Sequence, residues 1–322
     1  MNEVTLMSFP RLLPHSIAAT NANKLNIRVC VLMTSFNRRA YTLKCLSFLA
    51  SNQNLENISL SAVLVDDGST DGTGEAVKKE FPWVEVVQGD GSLFWCRGMF
   101  KAFQIAQQGS YDFYLWLNDD THLKLDAIAK LLSTYTDFSK KTGRPVVVVG
   151  ATADNISGKL TYGGQVATSR LRPFTFRKVW SETDAVECET MNGNVVLIPA
   201  EIAKAVGNLD PVFEHAMGDI DYGLRVRQAG YKLIVASGFV GHCSNNSNVG
   251  TYLDETLPFG NRWKKMLSRK GLPVKSWLQL TRRHGGFIWP LYFAWPYLQV
   301  ACQGLISLIR KKTHTNEGHF GN

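Results

Sequence analysis

The sequence has no CxxC pair and no cluster among its six cysteines, Cys30, Cys45, Cys96, Cys188, Cys243 and Cys302. That spacing excludes a zinc knuckle and a small disulfide framework, and it suits reduced core thiols in a cytosolic protein. No charged segment followed by an apolar run opens the chain, so no secretory leader is expected. No fixed-period repeat recurs. Glycine-rich phosphate loops are missing too: GSTDGTG has neither GxGxxG order nor GK[ST], which disfavours dinucleotide dehydrogenases and P-loop enzymes. Acid is scarce at the end of the chain. From Asn261 to Asn322, eleven Lys and Arg face the single acid Glu317, so the earlier residues net about −2 against +8 overall. A near-neutral body with a basic tail points to a polyanionic surface as partner of the tail alone.

With 322 residues, 19% charged and 11% aromatic, the chain has enough apolar content for one large or two medium globular domains. Short apolar runs alternate with helical patterns. Strands are expected at 27–36, 60–69, 84–90 and 111–120, and helices at 38–50, 73–81, 97–108 and 125–138. Strands that are apolar throughout predict an α/β fold, a Rossmann-like and mostly parallel sheet covered on both faces by helices. The second half is mixed. Strands are expected within VVVVGATAD, KLTYGGQVA, NVVLIPA and YKLIVAS, with a helix after Pro199 and another near 218–229.

Two of these strands stop on acids: VLVDDGSTDGT with Asp66, Asp67 and Asp71, and YLWLNDDTHL with Asp119 and Asp120. Helix capping accounts for Asp71 but does not require acid doublets at two strand ends. In an open α/β sheet, ligands gather at the carboxyl ends of the strands. Carboxylates converging there repel one another unless a cation lies between them. Oxygen ligands suit Mg2+ or Mn2+, which can bridge the two phosphates of a nucleotide.

TSFNR (34–38), LVDDGSTDGT (64–73) and WLNDD (116–120), taken in order, resemble the family 2 glycosyltransferases and their glycosyltransferase A fold. The branch resembled is the bacterial rhamnosyltransferase-like one of surface-polysaccharide assembly. The resemblance spans roughly 27–245. It implies transfer of a sugar from a UDP- or dTDP-sugar donor to a glycan or lipid-linked acceptor, with inversion and with Mg2+ or Mn2+. It implies that Thr34, Ser35, Arg38, Asp66, Asp67, Arg97 and Asp119 bind the donor nucleotide, Asp67 or its neighbour Asp66 meeting the base or ribose. Asp120 and His242 would hold the metal; the first position of the family's DxD pattern is Asn118 here. Trp95, Asn192, Gly193, Asn194 and Asp221 would line the acceptor or sugar pocket. In EHAMGDIDYGLRVRQAGY the family's catalytic base falls on Asp219, with Gly218 where a glutamate is usual. Asp221, four residues before Arg225, has an ion pair as its structural alternative.

The division that follows is an irregular lead-in at 1–24, a catalytic domain at 25–250 and a basic, aromatic-rich helical extension at 251–322. The nucleotide half would cover about 25–122 and the acceptor half about 123–250. Within the extension, residues 285–309 carry no charge, yet Pro290, Pro296, Gln299, Gln303 and Gly304 interrupt the run. Trp and Tyr bordered by Arg and Lys suit a helix lying on an anionic membrane surface through 285–312, at the inner face of the cytoplasmic membrane. The alternative for this segment is a helical hairpin packed on the catalytic domain or across a homodimer. Nucleic acid is not expected, because the aromatics lie apart from the basic residues. The rival readings of the whole are a metal-dependent nucleotidyltransferase or phosphatase, and a catalytically inactive nucleotide-sugar or membrane-binding module.

Overall fold

The computed structural model describes residues 26–53, 55–245 and 249–317, with side chains as far as Gly304. The expected lead-in at 1–24 lies outside the described residues. The first half alternates as expected: β1 (Ile27–Ser35), α1 (Arg39–Ala50), β2 (Ile58–Asp66), α2 (Thr73–Glu80), β3 (Val84–Gln88), α3 (Phe94–Ala106) and β4 (Phe113–Leu117). Then come β5 (His122–Leu123), α4 (Ala127–Thr142), β6 (Val146–Ala153), β7 (Leu160–Tyr162), β8 (Gly164–Ser169) and β9 (Arg172–Val179). β10 (Val186–Cys188), β11 (Thr190–Met191), β12 (Val195–Pro199), α5 (Ala200–Val206), α6 (Gly218–Gln228) and β13 (Lys232–His242) follow. The chain continues with α7 (Phe259–Met266), α8 (Val274–His284), a 3-10 turn (Gly286–Ile288) and α9 (Trp289–Glu317).

The main sheet runs β10-β13-β6-β12-β4-β1-β2-β3. β3, β2, β1 and β4 are mutually parallel, and β6 and β13 are parallel to each other. β12 runs antiparallel to both β4 and β6, so it is a reversed strand inside a mostly parallel sheet. Alternation within the apolar strands feeds two cores. Cys30 and Leu32 of β1 face α3 with Phe103, Trp116 and Tyr222, whereas Val29, Val31 and Met33 face α1 and α4 with Leu46, Leu115 and Leu131. Burial on both faces is the reason β4 reads as an unbroken apolar run.

Register brings the chemistry to one edge. Leu32 pairs with Trp116, so three residues further on Asp119 falls beside Ser35 at the carboxyl ends of β1 and β4. Because β12 is reversed and Val195 pairs with Leu117, its amino end, with Gly193 and Asn194, meets that edge. The end of β13 reaches it as well, His242 pairing with His122 of β5.

Three local features bear on these expectations. α3 starts at Phe94, ahead of the expected 97, because the Asp67 carboxylate accepts the N–H groups of Leu93 (3.0 Å) and Phe94 (2.9 Å) and caps the helix from a neighbouring strand. The interrupted strand pattern of 159–167 forms β7 and β8, and β8 joins β9 and β11 in a second, three-stranded sheet. Beyond 258 the described chain is helical, and its inner face joins the core: Trp277 and Leu280 of α8 are buried with Phe213 and Tyr222. Arg283 and His284, which flank the apolar run, turn inward onto Asp210 and Asp221. Among the described residues no helix is long and apolar enough to cross a membrane.

Candidate active site

Asp119 and Asp120 leave the end of β4 side by side and meet one cation. Arg38 Nη2 donates to Asp120 Oδ2 at 2.7 Å, and its Nε lies 3.0 Å from Asp119 Oδ2. The Arg38 guanidinium also sits over the Tyr41 ring at 4.8 Å. Burial pushes the Asp119 carboxyl up to about 6; Arg38 pulls against this and Asp120 adds to it. Two carboxylates thus share one guanidinium. Asp120 is partly exposed and has a further neighbour, Cys243 Sγ at 3.4 Å from Oδ1. Burial raises that thiol to about 12, so it stays protonated and donates. Asn194 Nδ2 lies 3.5 Å from the same sulfur.

A chain of contacts ties this pair to Asp219. Asn118 N–H donates to Asn194 C=O at 3.0 Å, and Trp95 Nε1–H donates to Asn118 Oδ1 at 2.7 Å. The Trp95 ring lies flush on Gly193, where any added Cβ would come within 2.5 Å of it. Gly193 N–H in turn donates to Asp219 Oδ2 at 3.0 Å, and Ile220 N–H donates to Oδ1 at 2.9 Å. Burial raises the Asp219 carboxyl above its ordinary value, and the two N–H groups act against that. Each oxygen keeps a lone pair for a further donor. Just before it, Met217 adopts φ 74°, a strained left-handed turn that opens α6 at the site. Asn118, Asp119, Asp120, Trp95, Gly193, Asn194 and Asp219 thus form one connected neighbourhood. Gly218 fits because a Cβ there would fall 2.3 Å from Cys96 Sγ. A glutamate has no room at that position.

Other residues expected in the site hold contacts of their own. Asp67 is almost fully buried and its carboxylate is committed to Gly91, Leu93 and Phe94 N–H; it shapes the loop that presents Trp95. Asp66 accepts from Ser69 and Gly74 N–H and fixes the β2–α2 turn. Asp71 is expected to cap α2; the N-cap is instead Gly72, and Asp71 accepts from Thr73 and Arg39 N–H to hold the turn before the helix. Ser35 bonds Thr42, and Thr34 Oγ1 donates to Val65 C=O. Arg97 points to Pro211 C=O and Glu214. Asn192 accepts from Gln165. Asp221, expected in the acceptor pocket, has no exposed surface and is held by Arg225, Arg283 and His284. Cys243 was not anticipated; its one signal in the sequence is adjacency to His242.

Residues 30–193 match the family described as Glycosyl transferase family 2, half of the chain. The chain belongs to family 2 of the glycosyltransferases. The matched segment contains Arg38, Trp95, Asp119, Asp120 and Gly193, and it ends before Asp219 and His242. The mostly parallel sheet with flanking helices is consistent with the glycosyltransferase A fold. Among solved structures, the chain is similar to S. aureus TarS 1-349, with 14% identity and a TM-score of 0.49 over 81% of this chain and 73% of that one. It is similar as well to S. aureus TarS, with 15% identity and a TM-score of 0.47 over 81% of this chain and 44% of that one. No curated protein matches.

Family membership raises the question of a divalent ion. Among the described residues no three His, Cys, Asp or Glu side chains surround one point. Mg2+ in phosphate chemistry takes one or two carboxylates and completes its shell with water and substrate oxygens, so a protein cage is not required. The residues fit that role: the two adjacent carboxylates of Asp119 and Asp120 share the single guanidinium of Arg38, Asp120 is partly exposed, and His242 Nδ1 is buried without a hydrogen-bond partner.

Proposed function

We propose that the protein is an inverting, metal-assisted glycosyltransferase that moves a sugar from a UDP- or dTDP-sugar to a glycan or lipid-linked acceptor in bacterial surface-polysaccharide assembly, working at the inner face of the cytoplasmic membrane. The observation that carries this reading is the chain of contacts joining the Asp119–Asp120 pair to Asp219 through Asn118, Trp95 and Gly193. Asp120, with His242 at the end of β13 as a second protein ligand, would hold Mg2+ or Mn2+, which supplies charge neutralisation for the departing diphosphate. Arg38, which stands on both carboxylates at the same edge, would serve as a guanidinium clamp on the donor phosphates. The half-buried Trp95 ring, seated on Gly193, offers a face on which a sugar ring can lie. Asp219, with a carboxyl made more basic by burial, takes the proton of the attacking acceptor hydroxyl. A single attack opposite the leaving group inverts the anomeric centre and needs no enzyme nucleophile.

Asp120→Ala is the test. Calorimetry with UDP is expected to show Mn2+-dependent affinity in the parent protein and at least a tenfold loss in the variant, the scale of one charge-assisted contact, about 1.5–3 kcal/mol. Equal affinity with and without Mn2+ in the parent protein would remove the metal from this reading. A thermal-shift screen of nucleotide sugars with Mg2+ or Mn2+ then identifies the donor.

A further inference from the structure

Beside the site lies a second surface. Phe94, next to Trp95, forms one wall of a hollow of about 610 Å3 that is lined by Lys265, Arg269 and Lys270 and by no acid. Arg269 stacks on the Phe94 ring at 4.4 Å and bonds Glu214, which also meets Arg97. Glu214 therefore offsets Arg269, while Lys265 and Lys270 have no carboxylate partner among the described residues. His215, whose Nδ1 is buried without a hydrogen bond, lies close enough to Lys270 to feel its charge. This is a cationic recess with spare donors.

Tyr252 lines that hollow and also a groove of about 790 Å3 between the β8–β9 hairpin and α9. Phe174, Phe176, Trp277, Tyr292 and Trp295 line the groove, and Arg172, Arg262 and Glu255 border it. Its volume is within the roughly 300–1,000 Å3 of small-molecule sites. The groove opens on the outer side of α9, where Leu291 (69% exposed), Trp295 (65%) and Leu298 (57%) follow Phe287 (99%) at helical spacing. Trp295 and Leu291 belong to both the groove and this exposed stripe. The opposite side of α9 is satisfied: Phe293 C=O accepts Trp277 Nε1–H, and Tyr297 O–H donates to Leu272 C=O.

We infer that this surface binds one phosphate-headed lipid, its phosphate or diphosphate in the Lys265–Lys270 recess and its hydrocarbon chain along the Phe174–Trp295 groove. The order of features along the surface, from the Trp95 site through cations to aromatics to an exposed apolar stripe, matches the order of parts in a glycan carried on such a lipid. Charge selects the head and apolar area selects the tail. The inference rests on the glycosyltransferase reading and gives its acceptor a chemical class.

The test uses the full chain without divalent cation, so that the proposed donor site does not compete. Farnesyl diphosphate is expected to bind by calorimetry, with inorganic pyrophosphate much weaker. Lys265→Glu with Lys270→Glu should lower farnesyl diphosphate affinity by about tenfold or more. Leu291→Glu with Trp295→Glu should lower it as well, while leaving pyrophosphate binding unchanged. These side chains are exposed, and the UDP affinity of every variant with Mn2+ should equal the parent's, which reports an intact fold and donor site. Pyrophosphate binding as tightly as farnesyl diphosphate, or indifference to both double variants, would overturn the proposal. So would a dimer in sedimentation equilibrium that Trp295→Glu dissociates, coupled with no farnesyl diphosphate binding: the stripe would then belong to a second copy of the chain. Failure of the parent protein to bind UDP would instead strike the glycosyltransferase reading.

Discussion

Asp219→Asn is expected to cut sugar transfer by about 10³-fold, within the 10²–10⁴ range of general-base removal, while UDP affinity with Mn2+ stays within about twofold. Asparagine keeps the shape of the side chain, so Trp95 and Gly193 have no reason to move. Its carbonyl oxygen can still accept one of the two N–H groups that Asp219 receives from Gly193 and Ile220. Its NH2 must then face the other donor, a local mismatch of about 1–3 kcal/mol of stability, felt in α6 and not at the carboxylates of β4. The ability to take a proton is what disappears. Product formation with the donor found by the thermal-shift screen reports the first quantity and calorimetry the second. Turnover near the parent rate would place the base on another residue. A parallel loss of UDP affinity would mean that Asp219 serves the donor side of the site.

Much of this site was legible because its signals are local. β4 had to be a strand buried on both faces, and a strand of that kind ending in NDD places carboxylates on the ligand edge of the sheet wherever its neighbours lie. Asp219 was legible through its motif. What the sequence did not disclose depends on partners distant in the chain. Nothing near Asp67 announces that its carboxylate will cap α3, since Leu93 and Phe94 lie on a different loop. Nothing near Asp120 names Arg38 or Cys243. The aromatic hairpin of β8 and β9 becomes meaningful only when α9 closes over it. The tail shows the limit most clearly. Arg283 and His284 carry the composition of a membrane-facing flank, and composition does not tell which way a helix is turned. Their inward turn follows from the buried Asp221, whose charge needs partners. The same tail still presents Leu291, Trp295 and Leu298 outward, so α9 divides between packing inward and standing exposed.

Asp221→Asn is expected to cost about 3–5 kcal/mol of stability, the range for breaking a buried ion pair from one side. Three groups depend on that carboxylate: Arg225 Nε at 2.8 Å, Arg283 Nη1 at 2.7 Å and His284 Nε2 at 2.9 Å. Arg225 retains the C=O groups of Val206 and Asn208, and Arg283 retains Asp210, which bounds the loss from above. Because Arg283 and His284 end α8, the damage should appear first as release of the α8–α9 hairpin, visible as new proteolytic cuts after Gly271 under native conditions. The pH dependence has a definite sign. Burial alone would raise the Asp221 carboxyl, but His284, Arg225 and Arg283 outweigh it and hold the group below the ordinary carboxylate value. The stability it contributes is thus fully present above about pH 4, the value of a free carboxyl, and is lost as pH falls toward the depressed folded value. Asp210, also lowered with Arg283 among its partners, adds to the same slope. In denaturant titrations from pH 6 to pH 3, the parent protein should lose stability steeply below about pH 4. The asparagine variant, already destabilised, should lose less over that interval. Equal acid slopes in the two proteins would show that the Asp221 cluster contributes nothing to docking the helical extension.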